Sequence, residues 1–284
     1  MRHLTCLTLC LLATQAYADT ASPIAHYAFT EGAGAILHDT SGHGHDGTLH
    51  GPTWVEKAGR PALCFTGGDQ YIDLGNAPAL KPTGDSTILA WLYLDANVYP
   101  DGATNWTIVD CEAYRKEGFI LRVDGGAAKT MYRICQAGTE QYKFGTIPIE
   151  NRHAYCIGAV RDGNTATIYV DGRPDVTFPI TPPAPGDTPL RIGAAAQSFQ
   201  GVMFDVALYN KALSSDDIAA LFWKDAARYG KDNAQQGKIF LKPHVYYDEN
   251  RLLAETDFFG VLPLAAGETL FAEIAPPNGA VLVT

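Results

Sequence analysis

Residues 152–174 read RHAYCIGAVRDGNTATIYVDGRP, with two alternating apolar and polar runs on either side of Asp162-Gly163-Asn164. Such alternation is typical of strands that bury one face, and an Asp-Gly step between two such runs indicates a tight β-hairpin. A second Asp-Gly step, Asp171-Gly172, ends the second run. The stretch therefore predicts an antiparallel hairpin followed at once by another turn.

The same pattern of strand-like runs separated by turn residues recurs on both sides of this hairpin. Short strand-like runs separated by Gly, Pro and Asp include IAHYAFTEG (24–32), STILAWLYLD (86–95) and GFILRVDGG (118–126). One helix is predicted, SSDDIAALFWKDAARYG (214–230), in which Ser214 caps the start, Asp217 follows three residues later and Gly230 ends it. We predict an all-β fold, an antiparallel β-sandwich of jellyroll type with a short C-terminal closing helix.

The domain organisation follows from the two ends of the chain. Residues 1–18 have a short positive start, an apolar run and Ala16-Tyr17-Ala18, which predicts a cleaved signal peptide and a secreted, extracellular or periplasmic protein. No later segment is apolar enough to predict a membrane span. We predict the sandwich over 24–230, a linker over 231–238 and a partial second β module over 239–284, with further domains after Thr284 as an option.

The charge balance limits the classes of molecule that we expect the chain to bind. The chain carries 21 Lys and Arg against 31 Asp and Glu, a formal net charge of −10. An acidic surface repels polyphosphates, so we expect no nucleic-acid partner. An anionic polysaccharide is disfavoured for the same reason, unless a local basic patch or a bound cation bridges it.

Four cysteines remain after the predicted signal peptide, Cys64, Cys111, Cys135 and Cys156. An even number in an exported chain predicts one or two disulfides, whose pairing the sequence leaves open. The alternative is that they are buried free thiols, which pack as small apolar side chains.

A series of anchors in order along residues 24 to about 223 resembles the LamG-like jellyroll domain of the concanavalin A-like lectin/glucanase superfamily. These anchors are Tyr27, Phe29, Glu31-Gly32, Asp39, Ser41-Gly42, Gly47, Trp54, Gly59, Ala62-Leu63, Phe65, Gly67, Tyr71, Leu74, Ala90-Trp91, His153, Asp162-Gly163, Tyr169–Gly172, Ile192-Gly193, Phe199, Gly201, Tyr209-Asn210 and Ala212–Ser214. The resemblance implies the sandwich fold. It does not imply one ligand, because the superfamily holds lectins, carbohydrate-binding modules, adhesion domains and glycan-cleaving enzymes.

Two departures from the family pattern bear on calcium. Phe204 and Asp205 stand where the family commonly has an acidic pair, and Arg152 stands where a tryptophan is usual. Calcium prefers oxygen ligands, and loops supply them through Asp carboxylates and backbone carbonyls. We therefore retain Ca²⁺ as a weak cofactor prediction, with Asp39 and then Asp205 as its metal ligands.

The stretch HDTSGHGHDGTLHG, residues 38–51, allows two interpretations. His43 and His45 could present two imidazoles to a transition metal, with Asp39 or Asp46 as a third ligand. Alternatively the glycines set a turn, Asp39 hydrogen-bonds its own backbone and the histidines are exposed. We favour the turn, because its glycines and Asp39 are the anchors that resemble the family.

Sugar recognition combines aromatic faces with planar polar side chains. Residues of this character lie in loops and at the ends of strand-like runs between residues 99 and 142, and we predict that they bind ligand: Tyr99, Asn105, Trp106, Tyr114, Arg115 and Tyr142. The alternative for Trp106 is ordinary packing at a strand end.

No catalytic motif stands out. The paired carboxylates that glycan hydrolysis needs have no clear pattern, and Asp110, Glu112 and Glu117 are interpreted as solvated charges. The leading hypothesis is a secreted, non-catalytic, lectin-like module that binds a glycan or polysaccharide within a larger glycan-processing or surface protein. The alternatives are a protein-interaction or adhesion sandwich and, less favoured, a glycan-cleaving enzyme.

Overall fold

The computed structural model describes residues 22–95, 105–194, 197, 199–231, 240–246 and 251–257. For residues 240–246 and 251–257 the description covers the backbone. The predicted signal peptide and Tyr99 lie outside the described residues.

Short strands dominate the first part of the chain, joined by tight turns. In chain order they are β1 Ala25–Tyr27, β2 Ile36–Leu37, β3 Gly47–His50, β4 Thr53–Lys57, β5 Arg60–Thr66, β6 Tyr71–Asp73, β7 Ser86–Leu94, β8 Asn105–Asp110, β9 Phe119–Asp124, β10 Lys129–Gln136, β11 Thr139–Pro148, β12 Ala154–Asp162, β13 Thr165–Val170, β14 Arg173–Pro179, β15 Arg191–Gly193 and β16 Gln200–Tyr209. A 3-10 helix, Pro78–Leu80, precedes β7.

These strands form two antiparallel sheets. Sheet A has the order β14-β13-β12-β7-β16-β5-β4, and β1 also pairs with β16. Sheet B has the order β11-β10-β9-β8-β15-β6-β3-β2. Neighbours in these orders are often distant in sequence, as β7 and β16 are. The predicted antiparallel β-sandwich is confirmed.

The hairpin predicted within residues 152–174 is present. Asp162 pairs with Thr165, so β12 and β13 are joined by a two-residue turn. The next turn places Asp171 at φ 51° and Gly172 at φ 76°. Both central residues of a type I′ turn need positive φ, and that geometry matches the twist of the flanking strands.

The core lies between the sheets because alternate side chains of each strand point inward. Ile88, Ala90 and Leu92 supply it from β7, and Leu121 and Tyr132 supply it from sheet B. Burial of this apolar surface is the main force that holds the two sheets face to face.

The predicted helix is α1, Ser215–Ala226. The Ser214 Oγ accepts a hydrogen bond from the Asp217 N–H at 3.1 Å, and the Ser214 N–H donates to the Asp217 carboxylate at 3.1 Å. This reciprocal pair is the capping box that the sequence predicts. Ile218 packs with Leu89 and Tyr209 on the outer face of sheet A, away from the sandwich core.

The chain divides into two compact units, Met1–Phe222 and Trp223–Thr284. The second unit contains β17 Phe240–Tyr246 and β18 Arg251–Asp257, which pair as an antiparallel hairpin. The rest of the predicted β module, residues 258–284, lies outside the described residues. Within the described part of the chain, no helix is long and apolar enough to cross a bilayer.

The disulfide prediction is wrong for the described cysteines, all four of which are free thiols. Cys135 lies on β10 and Cys111 directly follows β8, so β9 separates them. Two strand spacings are about 9.5 Å, beyond the reach of a disulfide. Cys64 and Cys156 lie on β5 and β12 of the other sheet, with β7 and β16 between them.

Candidate functional site

A polar cleft of about 520 Å³ lies against sheet B, over the strands β8, β9, β10 and β15. We call it the arginine cleft. Its lining residues are Asn105, Thr107, Asp110, Glu112, Tyr114, Ile120, Arg122, Arg133, Arg191, Ala194 and Gln197. The volume lies in the range of small-ligand sites.

Strand alternation explains which side chains reach the cleft. On β9 the side chains of Leu121 and Val123 enter the sandwich core, so Arg122 between them points to the outer face. On β10 the same alternation buries Tyr132 in the core and turns Arg133 outward. Charged residues set into apolar strands are therefore the residues that build the cleft.

A β-bulge in β8 turns the carboxylate of Asp110 toward the cleft. The register of β8 against β9 shifts between Thr107 and Val109, and both Ile108 and Val109 enter the core. Without the extra residue, Asp110 would continue the inward phase of the strand. The bulge returns Asp110 to the cleft face, a common use of bulges beside functional sites.

Arg133 is held by carboxylates. Its Nε and Nη2 donate to the two oxygens of Glu112 at 2.7 and 2.6 Å, and its Nη1 donates to Glu140 at 3.3 Å. Burial alone would lower the pKa of Arg133, but the hydrogen bonds to Glu112 reverse this and raise it. This bidentate pair fixes the guanidinium plane in the floor of the cleft.

Tyr114 supplies an aromatic surface at the cleft. Its side chain is 58% exposed. The phenol donates to Glu140 at 3.2 Å, and the ring centroid lies 5.2 Å from the Cζ of Arg133. The ring is therefore tethered at its polar end and still accessible on its face.

The other two arginines differ from Arg133 in their partners. Arg122 is 8% exposed, and its Nη1 donates to the Gln197 side chain at 2.8 Å while its Nη2 lies 3.5 Å from Asp124. Arg191 stacks on Tyr71, with its Cζ 4.7 Å from the ring centroid. Among the described residues, the buried Nε atoms of Arg122 and Arg191 have no acceptor.

Asp110 has a perturbed acidity. Burial, with a smaller contribution from the charge of Glu112, raises the pKa of Asp110 from 3.8 to about 6. The hydrogen bond that Asp110 accepts from the Glu112 N–H at 2.7 Å and the charges of Arg191 and Arg133 act in the opposite direction. Desolvation is thus the dominant effect on this carboxyl group.

Two of the predicted ligand-binding residues, Asn105 and Tyr114, line the arginine cleft. Trp106 does not, because it points into the core and is 8% exposed. The prediction for Trp106 is therefore corrected to core packing. On the same strand, β8, the neighbouring side chains of Asn105 and Thr107 point to the other face of the sheet and line the cleft.

Arg115 and Tyr142 are exposed but do not line the cleft. Arg115 sits in a turn at φ 61°, and its N–H donates to the Cys135 thiol at 3.2 Å. Tyr142 lies on β11, an edge strand of sheet B, with its ring at 5.6 Å and 80° to Phe144. Tyr99 lies outside the described residues.

The three arginines of the cleft were not predicted. Two of them interrupt apolar strand runs, FILRVD and TMYRIC, and that interruption is the signal that would have identified them. The interpretation of Glu112 and Glu117 as solvated charges is wrong. Glu112 holds Arg133, and Glu117 accepts hydrogen bonds from the N–H groups of Asp187 and Thr188 at 2.8 and 3.2 Å.

In the histidine-rich stretch, residues 38–51, the loop that precedes β3 is held by hydrogen bonds to the Asp39 carboxylate. Asp39 accepts hydrogen bonds from the backbone N–H groups of His26 at 3.0 Å, Ser41 at 2.9 Å and His45 at 3.0 Å. Burial would raise the pKa of Asp39, but these hydrogen bonds lower it to about 2. The predicted bonding of Asp39 to its own backbone is confirmed.

The predicted calcium ligands, Asp39 and Asp205, do not fit a calcium site, because their carboxylate oxygens are already engaged within the protein. The oxygens of Asp39 already accept three N–H groups, and Asp205 pairs with the His26 Nε2 at 2.9 Å. Within the described ranges, no group of three or more His, Cys, Asp or Glu side chains could hold a metal ion.

The chain matches one known protein family. Residues 66–219 match the Laminin_G_3 family, described as "Concanavalin A-like lectin/glucanases superfamily". No curated protein matches the chain.

Several solved structures share the fold. The binding domain of Paraclostridial Mosquitocidal Protein 1 aligns with a TM-score of 0.60 and 12% identity, over 84% of this chain and 64% of that one. A Trypanosoma rangeli sialidase mutant displaying trans-sialidase activity aligns at 0.54 and 18%, over 75% of this chain and 34% of that one. This chain therefore spans less than two thirds of either protein.

Domain 4 of AbnA, a GH43 extracellular arabinanase from Geobacillus stearothermophilus, was solved in complex with arabinotriose. It aligns with a TM-score of 0.56 and 16% identity, over 70% of this chain and 98% of that domain. At these identities the likeness extends to the fold.

Proposed function

Since the chain belongs to this family of the concanavalin A-like lectin/glucanase superfamily, we propose that it is a carbohydrate-binding, lectin-like module that holds a glycan in the arginine cleft. The observation that carries the proposal is the cleft itself, about 520 Å³ of space where planar hydrogen-bonding side chains converge beside an exposed tyrosine ring.

The chemistry of the lining suits a sugar. Hydroxyl groups on neighbouring ring carbons donate to carboxylates and accept from guanidinium and amide N–H groups, and Asp110, Arg191 and Asn105 offer these partners in one cleft. The Tyr114 ring offers a face for the C–H side of a pyranose or furanose. The Glu112–Arg133 pair keeps its geometry without ligand, which reduces the entropy lost on binding.

The fold relatives agree with this proposal in one respect. The arabinanase domain 4 that shares this sandwich was solved with a bound oligosaccharide, arabinotriose. We propose a glycan partner for this chain on that likeness together with its own cleft. Arg115 and Tyr142 are proposed as flanking contacts for a longer chain, since both are exposed on strands or turns of the same region.

The proposed setting is outside the cytoplasm. The signal-like residues 1–18 support secretion or export to the periplasm, where the module would serve a larger glycan-processing or surface protein. N-terminal sequencing of the exported protein tests this, since we expect the mature chain to begin after Ala18.

Affinity electrophoresis through gels that contain arabinan, xylan, β-glucan or polygalacturonate tests the function. We expect retardation by at least one polysaccharide and its loss in Tyr114→Ala. The matched control is Ile36→Ala, which removes an exposed side chain of β2, at the opposite edge of sheet B. Retardation should be equal with calcium and with chelator, because Asp39 and Asp205 are already engaged.

A negative outcome has a clear meaning. Migration unchanged by every polysaccharide, confirmed on a glycan array, would contradict the lectin-like function and favour the protein-interaction alternative.

A glycan-cleaving activity is the second candidate, because the cleft holds two carboxyl groups in different environments. Asp110, whose pKa is about 6, could donate a proton, whereas Glu112 is paired with Arg133. Release of reducing sugar from a retained polysaccharide, abolished in Asp110→Asn, would support it. No release over a long incubation would leave binding as the function.

A further inference from the structure

Three arginines line one cleft of a chain that is acidic overall. Its lining contains the three arginines Arg122, Arg133 and Arg191 with the carboxylates Asp110 and Glu112, and Asp124 and Glu140 pair with two of these arginines from beside the cleft. The whole chain has 21 Lys and Arg against 31 Asp and Glu. Because the carboxylates offset most of this positive charge, an anionic ligand needs an arginine that has no carboxylate partner.

The three arginines are not equally available. Arg133 is neutralised by its bidentate bonds to Glu112 and its contact with Glu140. Arg122 donates from Nη1 to the neutral amide of Gln197 at 2.8 Å and pairs through Nη2 with Asp124 at 3.5 Å. The side chain of Arg191 makes no ion pair and no hydrogen bond with any described residue, so its terminal Nη donors remain for a ligand.

Arg191 is nevertheless held in place. Its guanidinium lies over Tyr71, 4.7 Å from the ring centroid, and His50 stacks on the same ring at 4.6 Å. Stacking restricts the plane of the guanidinium and leaves its edge donors unused. A fixed plane with unused donors is suited to a planar acceptor with two oxygens.

Resting on the proposed function, we propose that the glycan is acidic and that Arg191 binds a carboxylate on one of its sugars, with Arg122 beside it in the cleft. Uronic acids provide this chemistry. A carboxylate matches the arginine fork through two parallel N–H···O bonds, whereas a neutral hydroxyl offers a single acceptor oxygen and carries no charge.

The test compares glycans that differ only in the carboxyl group. Hexagalacturonate and its carboxyl-reduced form, in which each carboxylate becomes a primary alcohol, are titrated into the full chain by calorimetry. Alginate and hyaluronan oligosaccharides and their reduced forms extend the panel. We expect at least one acidic glycan to bind about tenfold or more tightly than its reduced form, and its affinity to fall as salt is raised.

Two variants localise the effect. Arg191→Met keeps the length and the apolar contact with Tyr71 but removes the fork, and should weaken acidic-glycan binding about tenfold or more. Arg191→Lys keeps the charge and should recover part of the affinity. The matched control, Lys143→Met, removes one exposed positive charge from β11 of the same sheet and should leave affinity unchanged.

The outcomes separate this inference from the function it rests on. A neutral glycan that binds through Tyr114 and is unaffected by Arg191→Met would leave the lectin-like function in place and overturn the acidic-ligand inference. Stronger binding of dextran sulfate than of every uronate would overturn it as well. No binding by any glycan, with all variants folded by thermal denaturation, would contradict both.

Discussion

The histidine-rich stretch, residues 38–51, which we call the histidine loop, and the arginine cleft are both rich in charged side chains. They differ in how fully those side chains find hydrogen-bond partners within the protein. In the loop, Asp39 satisfies three backbone N–H groups, and Asp46 accepts from the Asp39 N–H and pairs with His38. In the cleft, the Nε of Arg191 has no acceptor among the described residues.

This difference separates a structural cluster from a candidate binding site. Polar groups that satisfy one another stabilise the fold and leave little for a ligand. Accessible guanidinium donors that have no protein partner are hydrated in the unliganded state, and a complementary ligand can replace that water. Replacing Asp39 in the loop should therefore affect stability, whereas replacing Arg191 in the cleft should mainly affect binding.

The largest expected effect on stability is that of Asp39→Ala. It leaves three backbone N–H groups without their charged acceptor, and we expect the free energy of unfolding to fall by about 4 kcal/mol in urea denaturation. Arg191→Met should change it by less than about 1 kcal/mol. Equal losses in the two variants would remove the distinction between loop and cleft.

Acid should reproduce part of the Asp39 effect. The folded-state pKa of Asp39 is about 2, below the ordinary 3.8. Its stabilisation is thus present above about pH 4 and lost as the pH falls through about 2.

Asp110 should show the opposite dependence. Its folded-state pKa, about 6, lies above the ordinary 3.8, so its contribution is favourable below about pH 4 and is lost as the pH rises through about 6. The change is on the order of 3 kcal/mol. Asp110→Asn, which retains an acceptor for the Glu112 N–H, should remove this dependence and be more stable than the wild type at about pH 8.

Denaturation at several pH values checks this prediction. Asp69→Asn, in the exposed turn before β6, is the control for the loss of one carboxylate charge. An unchanged profile in Asp110→Asn would show that burial does not control this carboxyl group.

Gly47→Val tests the packing beneath the histidine loop. A Cβ at Gly47 would lie 2.7 Å from the Ile72 Cγ2 and 2.7 Å from the Leu74 Cδ2. We expect a loss of about 2 kcal/mol in the free energy of unfolding. Gly84→Ala is the control, because a Cβ there meets nothing within 4 Å. A neutral Gly47→Val would mean that the loop moves away without penalty.

The smallest effect is expected for His43→Asn combined with His45→Asn. The imidazole of His43 is exposed and contacts Ser41, and the Tyr27 phenol bonds the backbone carbonyl of His45, which the substitution retains. The free energy of unfolding should change by less than about 0.5 kcal/mol. Zinc binding by the wild type that the double variant loses would favour the metal interpretation of the loop.

The features predicted correctly from the sequence are local in the chain. The turn at 162–165, the Ser214–Asp217 cap and the Asp39 turn each depend on residues a few positions apart. Their geometry is set by short-range hydrogen bonds and allowed φ values, which the residue types specify directly.

The cleft could not be predicted in the same way. Arg122, Arg133 and Arg191 meet only because β10, β9, β8 and β15 are neighbours in sheet B, an order set by long-range packing. The phase of β8 depends on its bulge, which allows Trp106 to face the core while Asp110 faces the cleft. A single sequence does not show a bulge or a register.

Arginine side-chain NMR tests the central claim, that a glycan occupies the cleft, most directly. Hexagalacturonate and neutral arabinotriose are titrated into isotope-labelled protein while the Nε–H signals are followed. We predict that the signals of Arg122, Arg133 and Arg191 shift together and saturate with hexagalacturonate. The signal of Arg161, buried and bonded to the carbonyls of Pro82 and Thr83, should stay in place. Cleft signals unmoved at saturating concentrations of both sugars would contradict the account.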